Sequence, residues 1–297
     1  MIINLVVLLH IFLIIFFLWF DQSYLKKNVQ QINVNFIIGI KKVEKFNLES
    51  IKNVLIIGSG HGIGLSLTET LLKNYQDCFI YTTYRDVSRC DSLKNLESQY
   101  RSRLVTSLVN PLDESSLEEF TNELSEKVQH LDLVINCVGV LHSENMKPEK
   151  SLNDISMKQL LDSFAINSIV TPLLAKMLLP LLRPKPLSVF ASLSAKVGSI
   201  NDNTLGGWYG YRASKSALNM FIKTVALEFI NRKIQCLSLA IHPGTTQTDL
   251  SEPYLKHTKL NVNSPEKTAL NILNVLNDLS TDANGKFLNW DGSEISW

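Results

Sequence analysis

The glycine-rich segment near residue 60 constrains the fold of this chain more than any other feature. A short apolar run, Val54-Leu55-Ile56-Ile57, suits a buried parallel strand. It leads directly into Gly58-Ser59-Gly60-His61-Gly62-Ile63-Gly64, and residues 65–72 then show the pattern of a helix. A strand, a glycine turn and a helix in this order are the context of a dinucleotide-binding loop, because glycines let the backbone approach a pyrophosphate at the helix N-terminus. We therefore predict an α/β fold with a nucleotide site at this turn.

Composition bounds the remaining possibilities. The chain has 297 residues, a formal net charge of +1 and 45% hydrophobic residues, which suits one α/β domain with a substantial core plus an appendage. Because there is no basic or acidic excess, nothing predicts a nucleic-acid partner. The four cysteines lack metal-ligand spacing and are interpreted as reduced thiols, so we predict no metal site.

The N-terminal segment is the appendage. Residues 2–20 are almost wholly apolar, and as a helix they span roughly 28 Å, about one hydrocarbon core. Lysines follow this run rather than precede it, beginning at Lys26 and Lys27, which predicts a membrane anchor with the main domain on the cytosolic side. The alternatives are a signal or targeting peptide and a wrongly assigned start of the coding sequence, which would leave a cytoplasmic protein. Residues 21–50 are interpreted as a polar connector and residues 51–297 as the folded domain.

A second motif lies far downstream, at Tyr211 and Lys215. Apolar residues recur at helical spacing from this point to about Ile230, so the two side chains are one turn apart and share a helix face. An ammonium group beside a phenol stabilises the phenolate and lowers the pKa of the tyrosine. Such a tyrosine can exchange a proton with a carbonyl or alcohol oxygen, which predicts a catalytic pair.

Together, the two motifs resemble those of the short-chain dehydrogenases/reductases. The spacing Gly58-x-x-x-Gly62-x-Gly64 and the pair Tyr211-x-x-x-Lys215 carry the resemblance, which covers residues from about 52 to the C-terminus. The run Gly206-Gly207-Trp208-Tyr209-Gly210-Tyr211-Arg212-Ala213-Ser214-Lys215 resembles one branch, the C-factor/sniffer-like carbonyl reductases. The resemblance implies a Rossmann-type doubly wound parallel sheet. It also implies an NAD(P)H-dependent oxidoreductase that reduces an aldehyde or ketone to an alcohol, or runs the reverse reaction.

The resemblance assigns further residues to the cofactor, beside the glycine turn, Tyr211 and Lys215. The predicted strand of residues 79–83 ends near Arg85, and an arginine at this tip accommodates a 2′-phosphate, so we favour NADPH/NADP+ over NADH. Asn110 stands where the family carries an aspartate that contacts adenine. The remaining assignments are the Asn-Asn-Ala-Gly-like element Asn136-Cys137-Val138-Gly139 and the nicotinamide turn Pro243-Gly244-x-x-x-Thr248.

The catalytic assignments also follow from the resemblance. Lys215 is expected to bind the nicotinamide ribose and Tyr211 to donate the proton, while Asn167 bends its helix and holds a water of the proton relay. The serine that orients the carbonyl is harder to assign, because the usual position, counted back from Gly198, is Ala195. Either Ser194 takes this role after a small shift, which we predict, or Tyr211 holds the carbonyl alone. Ser192 and Ser199 are further candidates.

Two other functions are compatible with parts of the pattern. A catalytically weak NADP(H)-binding sensor fits Ala195 at the serine position, and an epimerase or dehydratase of the extended branch fits the general fold. The glycine spacing and the short segment after Thr248 argue against the second. The expected partners are a small-molecule carbonyl or alcohol substrate and a second copy of the chain, because relatives form homodimers or homotetramers through the helices that carry Asn167 and Tyr211. Loops 141–156 and 249–263 are expected to set specificity, the latter as a lid.

Overall fold

The computed structural model describes residues 44–183, 186–256 and 258–297. The predicted membrane anchor and most of the predicted connector lie outside these residues. Within them, Phe46 and Leu48 are buried in the core, and the Phe46 amide donates a hydrogen bond to the carbonyl of Leu279. The folded domain therefore begins before residue 51, because these two apolar side chains of the predicted connector belong to the core.

A parallel sheet of seven strands forms the centre of the molecule. Its spatial order is β3-β2-β1-β4-β5-β6-β9, and every neighbouring pair is parallel. This is the predicted Rossmann-type doubly wound sheet. The strands are β1 (Asn53–Ile57), β2 (Phe79–Tyr84), β3 (Leu104–Leu108), β4 (Leu133–Asn136), β5 (Ser188–Leu193), β6 (Cys236–His242) and β9 (Phe287–Asn289); the short strands β7 (Thr245–Thr246) and β8 (Val262–Asn263) pair separately.

Helices cover both faces of the sheet because alternate residues of each buried strand face opposite sides. Val54 and Ile56 of β1 pack in one hydrophobic cluster, whereas Leu55 and Ile57 pack in the other. The first cluster contains residues of α1 (Gly62–Asn74), α2 (Asp91–Gln99) and α8 (Pro265–Asn277), and the second contains residues of α3 (Glu114–Lys127), α5 (Val170–Leu182) and α6 (Tyr209–Asn231). The remaining helices are α4 (Met157–Phe164) and the short α7 (Glu252–Leu255).

Helices α4 and α5 form one continuous helical stretch through a π-helical turn at Ala165–Ile169. Among the described residues, Met157–Leu182 is the one helical stretch with the length and apolar composition of a membrane span. Half of its most apolar window is buried inside the domain, which is also typical of the core helix of a globular protein.

The strand order reverses beside β1, whose neighbours are β2 on one side and β4 on the other. Open parallel sheets bind their ligands outside the carboxyl ends of the strands at such a switch point. The glycine turn follows β1, and the motif Asn136-Cys137-Val138-Gly139 begins at the last residue of β4. The fold thus brings these two sequence motifs to the same edge.

Candidate active site

The glycine turn is shaped by two glycines with positive φ and one that is closely packed. Gly58 and Gly62 have φ of 86° and 60°, a region that side chains other than glycine disfavour. A Cβ atom on Gly64 would lie 2.2 Å from the carbonyl oxygen of Gly58. Helix α1 can therefore begin close to the end of β1 only because position 64 lacks a side chain.

The start of α1 offers backbone donors to an anion. His61 precedes the helix in an extended conformation and makes no side-chain capping hydrogen bond. The first amides of a helix lack intrahelical partners, and the helix dipole favours negative charge there. The turn is therefore able to hold a pyrophosphate, as predicted from its glycines.

Other residues of the turn support it from within. Ser59 is fully buried, its amide donates to the carbonyl of Thr83, and its hydroxyl accepts a hydrogen bond from Thr68. Ile63 packs against the hydrophobic core. Of the predicted cofactor residues, these two side chains serve the structure of the turn.

The tip of β2 presents an arginine rather than a carboxylate. Arg85 is exposed and, within the described part of the chain, its side chain makes no hydrogen bond or ion pair. Asp86 is occupied, because its Oδ1 accepts hydrogen bonds from the amide (2.9 Å) and the hydroxyl (2.6 Å) of Ser88. These two bonds lower the pKa of Asp86, which stays ionised as the cap of the turn Val87–Arg89.

The predicted asparagines differ in their environment. Asn110 is exposed, and its Oδ1 accepts a hydrogen bond from the Leu112 amide, which leaves the side-chain NH2 group as a donor. Asn136 is buried and joins β4 to α5 through a 3.0 Å hydrogen bond to Thr171, while its Oδ1 accepts from the Val138 amide. Asn136 therefore fixes the end of the central strand, which is the structural part of its expected role.

The nicotinamide turn lies against the glycine turn. Gly244 has φ of 79°, and a Cβ atom there would lie 2.9 Å from the ring of Trp290. Thr248 lies next to Gly62 of the glycine turn: a Cβ atom built on Gly62 would be only 3.4 Å from Cγ2 of Thr248. Pro243 precedes this turn at the end of β6. The two predicted halves of the cofactor cleft therefore meet in the structure.

Helix α6 begins directly after three residues in the left-handed region. Gly206, Gly207 and Trp208 have φ of 65°, 66° and 50°, so the chain turns sharply before the helix starts at Tyr209. Glycine tolerates this conformation, whereas Trp208 adopts it at a cost. The turn places Tyr211 and Lys215 on the first two turns of the helix.

Lys215 is almost completely buried beside the ends of β4 and β5. Its Nζ donates a 2.9 Å hydrogen bond to the carbonyl of Leu193 and lies 5.9 Å from the centre of the Tyr211 ring. A Cβ atom on Gly139 would be only 3.4 Å from this nitrogen, so the predicted Gly139 leaves room for the ammonium group. Burial lowers the pKa of Lys215 from 10.5 to about 8.

The expected effect of Lys215 on Tyr211 is not found. Burial raises the pKa of Tyr211 well above its ordinary value, and no lowering by Lys215 offsets it. Desolvation, which disfavours the phenolate, is the cause of this rise. In this structure the Tyr211 phenol is therefore harder to ionise than a solvated tyrosine.

Asn167 lies at the centre of the π-helical turn Ala165–Ile169, so the helix is perturbed at the position expected from the resemblance. Its side chain clamps the loop after β4: Oδ1 accepts from the Val140 amide at 2.8 Å, and Nδ2 donates to the Val140 carbonyl at 2.9 Å. The same NH2 group contacts the hydroxyls of Ser163 and Ser214. Asn167 and Lys215 both approach Gly139, so the fold brings these residues together.

The prediction for Ser194 disagrees with the geometry. Its side chain is buried, and its hydroxyl donates a 2.7 Å hydrogen bond to Oδ1 of Asn219 inside the domain. Because this proton is committed to Asn219, Ser194 is not positioned to orient a substrate carbonyl. Ser192 and Ser199 are also buried, and their hydroxyls contact Thr171 and the Asp202 amide respectively. Ala195, at the usual serine position, is partly exposed.

A row of aromatic rings that begins at Tyr211 was not predicted from the sequence. Trp208 contacts the Tyr211 ring edge-on at a centroid distance of 6.2 Å, and Tyr254 contacts Trp208 at 5.2 Å. His142 completes the row at 5.8 Å from Tyr254 and bonds the carbonyl of Asp249 through Nε2. These residues come from three separate segments, so no local pattern joins them. They bring both predicted specificity loops next to the candidate catalytic residue.

Charged residues connect the start of the predicted lid to the cofactor side of the cleft. The Asp249 carboxylate pairs with Arg89 and lies 3.8 Å from Nδ1 of His61 in the glycine turn. Burial and Arg89 lower the pKa of His61, outweighing the opposite effect of Asp249. In this structure the lid segment is therefore ion-paired to Arg89, just beyond the tip of β2, and lies next to His61 of the glycine turn.

Comparison with known proteins identifies the family. Residues 52–259 match the model of the short chain dehydrogenase family. The chain is 30% identical over 265 residues to the short chain dehydrogenase gsfK of Penicillium aethiopicum, covering 82% of this chain and 98% of that protein. It is also 30% identical over 206 residues to the (S)-benzoin-forming benzil reductase IRC24 of Saccharomyces cerevisiae, covering 68% and 74%.

Solved structures give the same result. The carbonyl reductase Sniffer of D. melanogaster superimposes with a TM-score of 0.74 at 25% identity, covering 83% of this chain and 100% of that one. An NADPH-bound carbonyl reductase from chicken fatty liver superimposes with a TM-score of 0.75 at 26% identity, covering 83% and 94%. The chain belongs to the short chain dehydrogenase family. It is thus an NAD(P)-dependent oxidoreductase by family, with a carbonyl-reductase-like fold.

Proposed function

We propose that this protein is an NADPH-dependent carbonyl reductase that converts an aldehyde or ketone to an alcohol. The observation that carries the proposal is the convergence of Lys215 and Asn167 on Gly139, with the Tyr211 ring 5.9 Å from the Lys215 nitrogen. This cluster lies at the carboxyl edge of the sheet, where the glycine turn also lies. Proton donor and cofactor cleft thus occupy one edge.

The structure contains a cradle that fits a nicotinamide dinucleotide. Gly58 and Gly62 keep the turn after β1 open to a pyrophosphate, and the uncapped start of α1 supplies amides for it. Gly244 and Thr248 would hold the nicotinamide end, and Lys215 would bind the ribose. When bound, NADPH supplies the hydride that reduces the carbonyl carbon.

The choice of NADPH rests on the tip of β2. Arg85 is exposed there with its donors available, which suits the 2′-phosphate of NADPH. Asp86 is the acidic residue that would otherwise bind the ribose hydroxyls of NADH, but its Oδ1 already caps its own turn. The NADPH bound in the chicken carbonyl reductase supports the same choice.

The proton reaches the substrate from Tyr211. Burial keeps its phenol neutral, so Oη has a proton to donate to the carbonyl oxygen as negative charge develops there. Lys215, held by the Leu193 carbonyl, stabilises the phenolate left behind while it remains protonated. A neutral donor favours reduction, whereas alcohol oxidation needs the phenolate at the start of the reaction.

The carbonyl is oriented by Tyr211 alone, since the Ser194 hydroxyl donates to Asn219. The Trp208 ring contacts the Tyr211 ring, and the Tyr254 ring contacts Trp208, so we expect a substrate that reaches Tyr211 to pass these rings. An apolar, ring-lined approach suits a carbonyl attached to an aromatic or other flat apolar group. The similarity to a benzil reductase supports this substrate class.

A cofactor-binding sensor with weak catalysis is the second candidate, favoured by the missing serine hydroxyl. The two candidates are separated by adding NADPH to the full-length protein in detergent with a panel of aldehydes, ketones and aromatic diketones. Turnover of any carbonyl supports the reductase. Tight NADPH binding without turnover across the panel supports the sensor, and failure to bind either nicotinamide cofactor contradicts both.

Location and assembly complete the proposal. We propose that residues 2–20 anchor the protein in a membrane with the domain on the cytosolic side, because lysines follow the apolar run. Resistance to alkaline carbonate extraction, lost on deletion of residues 2–20, tests the anchor; extraction of the full-length chain contradicts it.

Exposed apolar side chains on the helices that carry Asn167 and Tyr211, among them Leu161, Ile169 and Met220, support a homodimer or homotetramer. Light scattering in detergent tests this assembly.

A further inference from the structure

Glu149 is a buried carboxylate to which the sequence analysis assigned no role. It belongs to the segment between β4 and α4, which was expected to contribute to substrate specificity. Only 4% of its surface is exposed. Acidic side chains are rarely buried to this degree unless hydrogen bonds compensate the loss of water.

Its hydrogen bonds go to the start of the catalytic helix α6. The Oε2 atom accepts a 3.1 Å hydrogen bond from the Gly210 amide, and the main-chain carbonyl of Glu149 accepts one from the Trp208 amide. The first amides of a helix have no intrahelical partners, so these two bonds satisfy donors that would otherwise be buried and unpaired. Trp208 makes no side-chain cap, which leaves the capping of this helix to Glu149.

Glycine at position 210 is required for this contact. A Cβ atom there would lie 2.9 Å from Oε1 of Glu149 and 3.4 Å from Leu160. The carboxylate therefore packs directly against the helix backbone. Such a contact fixes the position of the first turn more tightly than a solvated capping side chain does.

A second set of hydrogen bonds holds the main chain at the Tyr211 carbonyl. The Ser214 hydroxyl donates to the Tyr211 carbonyl at 2.9 Å and also contacts Ser163 and Asn167. Glu149 thus holds the chain at Gly210, immediately before Tyr211, and Ser214 holds it at Tyr211 itself. The catalytic tyrosine lies between two buried anchors.

We propose that Glu149 is a positioning residue for Tyr211: it fixes the first turn of α6 so that the phenol is held in the geometry for proton transfer. The inference rests on the proposed role of Tyr211 as proton donor. A misplacement of about 1 Å can lower a rate about 100-fold, so a loose first turn would be costly. NADPH binding should depend little on this contact, because the glycine turn and Arg85 lie on other elements. Lys215, the cofactor residue on α6, is held separately by the Leu193 carbonyl.

The test compares three variants of the full-length protein. Glu149→Ala removes the acceptor, Glu149→Asp withdraws it by one methylene, and Glu149→Gln keeps an oxygen in the same place. Asp113→Ala is the matched control, because Asp113 caps the non-catalytic helix α3 through the Ser115 amide. We expect kcat to fall about 100-fold in the Ala and Asp variants, to recover largely in the Gln variant, and to stay unchanged in the control. The NADPH dissociation constant stays at the parent value in all four.

Amide hydrogen exchange provides a readout that needs no activity. In Glu149→Ala, the peptide covering residues 208–212 should exchange about 10-fold faster, while the rest of the domain keeps its protection. Parent-like kcat in Glu149→Ala, or equal losses in the Gln and Asp variants, would overturn the proposal. So would faster exchange throughout the domain, which indicates general destabilisation. If the parent itself reduces no carbonyl, the proposed function fails, and localised exchange then decides whether Glu149 fixes the first turn of α6.

Discussion

The buried Nζ of Lys215 donates a 2.9 Å hydrogen bond to the main-chain carbonyl of Leu193. This bond joins helix α6, which carries Tyr211, to the last residue of β5, at the edge of the sheet where the proposed cofactor cleft lies. Among the described residues, Lys215 forms no ion pair. Burial of an ammonium group without a carboxylate partner costs stability and accounts for its lowered pKa.

The first prediction concerns pH and stability. Because burial lowers the pKa of Lys215 from 10.5 to about 8, the folded protein loses this proton before the unfolded chain does as pH rises. The cost of burying the charge is therefore full below about pH 8 and disappears as pH approaches 10.5. In Lys215→Met this cost is absent at every pH. Lys215→Met should therefore exceed the parent in free energy of unfolding most at about pH 7. This difference should shrink by about 3 kcal/mol between about pH 7 and pH 10, because the parent gains stability.

Denaturant unfolding of both proteins across this range measures the difference. Titrating groups that do not interact with Lys215 cancel, since the two chains share them; Cys137, which does interact with it, is removed from the comparison by making both proteins with Cys137→Ala. A difference in free energy of unfolding that stays constant with pH would contradict the lowered pKa.

The second prediction concerns the missing serine. Ser194→Ala removes a hydroxyl that donates to Asn219, so it should lower stability by about 1 kcal/mol and leave kcat nearly unchanged. Ala195→Ser adds a hydroxyl at the usual serine position, where it is able to orient the carbonyl, and should raise kcat about 10-fold. Steady-state kinetics with one carbonyl substrate checks both variants. A large loss of kcat in Ser194→Ala, with the fold intact, would restore Ser194 to the catalytic set.

The third prediction concerns cofactor choice. Arg85→Ala should raise the KM for NADPH about 30-fold, because a charge-assisted contact with the 2′-phosphate is lost, and should leave the KM for NADH unchanged. Arg101→Ala is the matched control. Arg101 is also exposed, but it precedes β3 and so lies at the amino ends of the strands, away from Arg85 at the carboxyl end of β2. Equal effects of the substitution on both cofactors would contradict the assignment of Arg85.

Local patterns were sufficient for much of the fold and site. The glycine turn, the strand before it and the helix after it lie within twenty-two residues, Asn53–Asn74, so their geometry follows from their own sequence. Tyr211 and Lys215 share one helix, and the resemblance located Asn167 at what proved to be the π-helical turn. These features depend on neighbours in the chain, which a sequence reveals directly.

What could not be predicted depends on contacts between distant segments. Glu149 meets Gly210 across 61 positions, and Tyr254 meets Trp208 from a different loop, so neither leaves a local signal. The direction of the Ser194 hydroxyl is set by Asn219 on another element. The pKa of Tyr211 depends on how deeply the ring is buried, a quantity that spacing along a helix does not contain.

The most direct test of the account replaces the proton donor alone. The rate of NADPH oxidation with a reducible carbonyl should be compared among the full-length parent, Tyr211→Phe and the matched control Tyr209→Phe, which alters a more exposed ring at the start of the same helix. We expect Tyr211→Phe to lower kcat at least about 100-fold while its NADPH affinity is unchanged, and Tyr209→Phe to behave like the parent. Parent-like turnover by Tyr211→Phe would contradict the role of Tyr211 as proton donor.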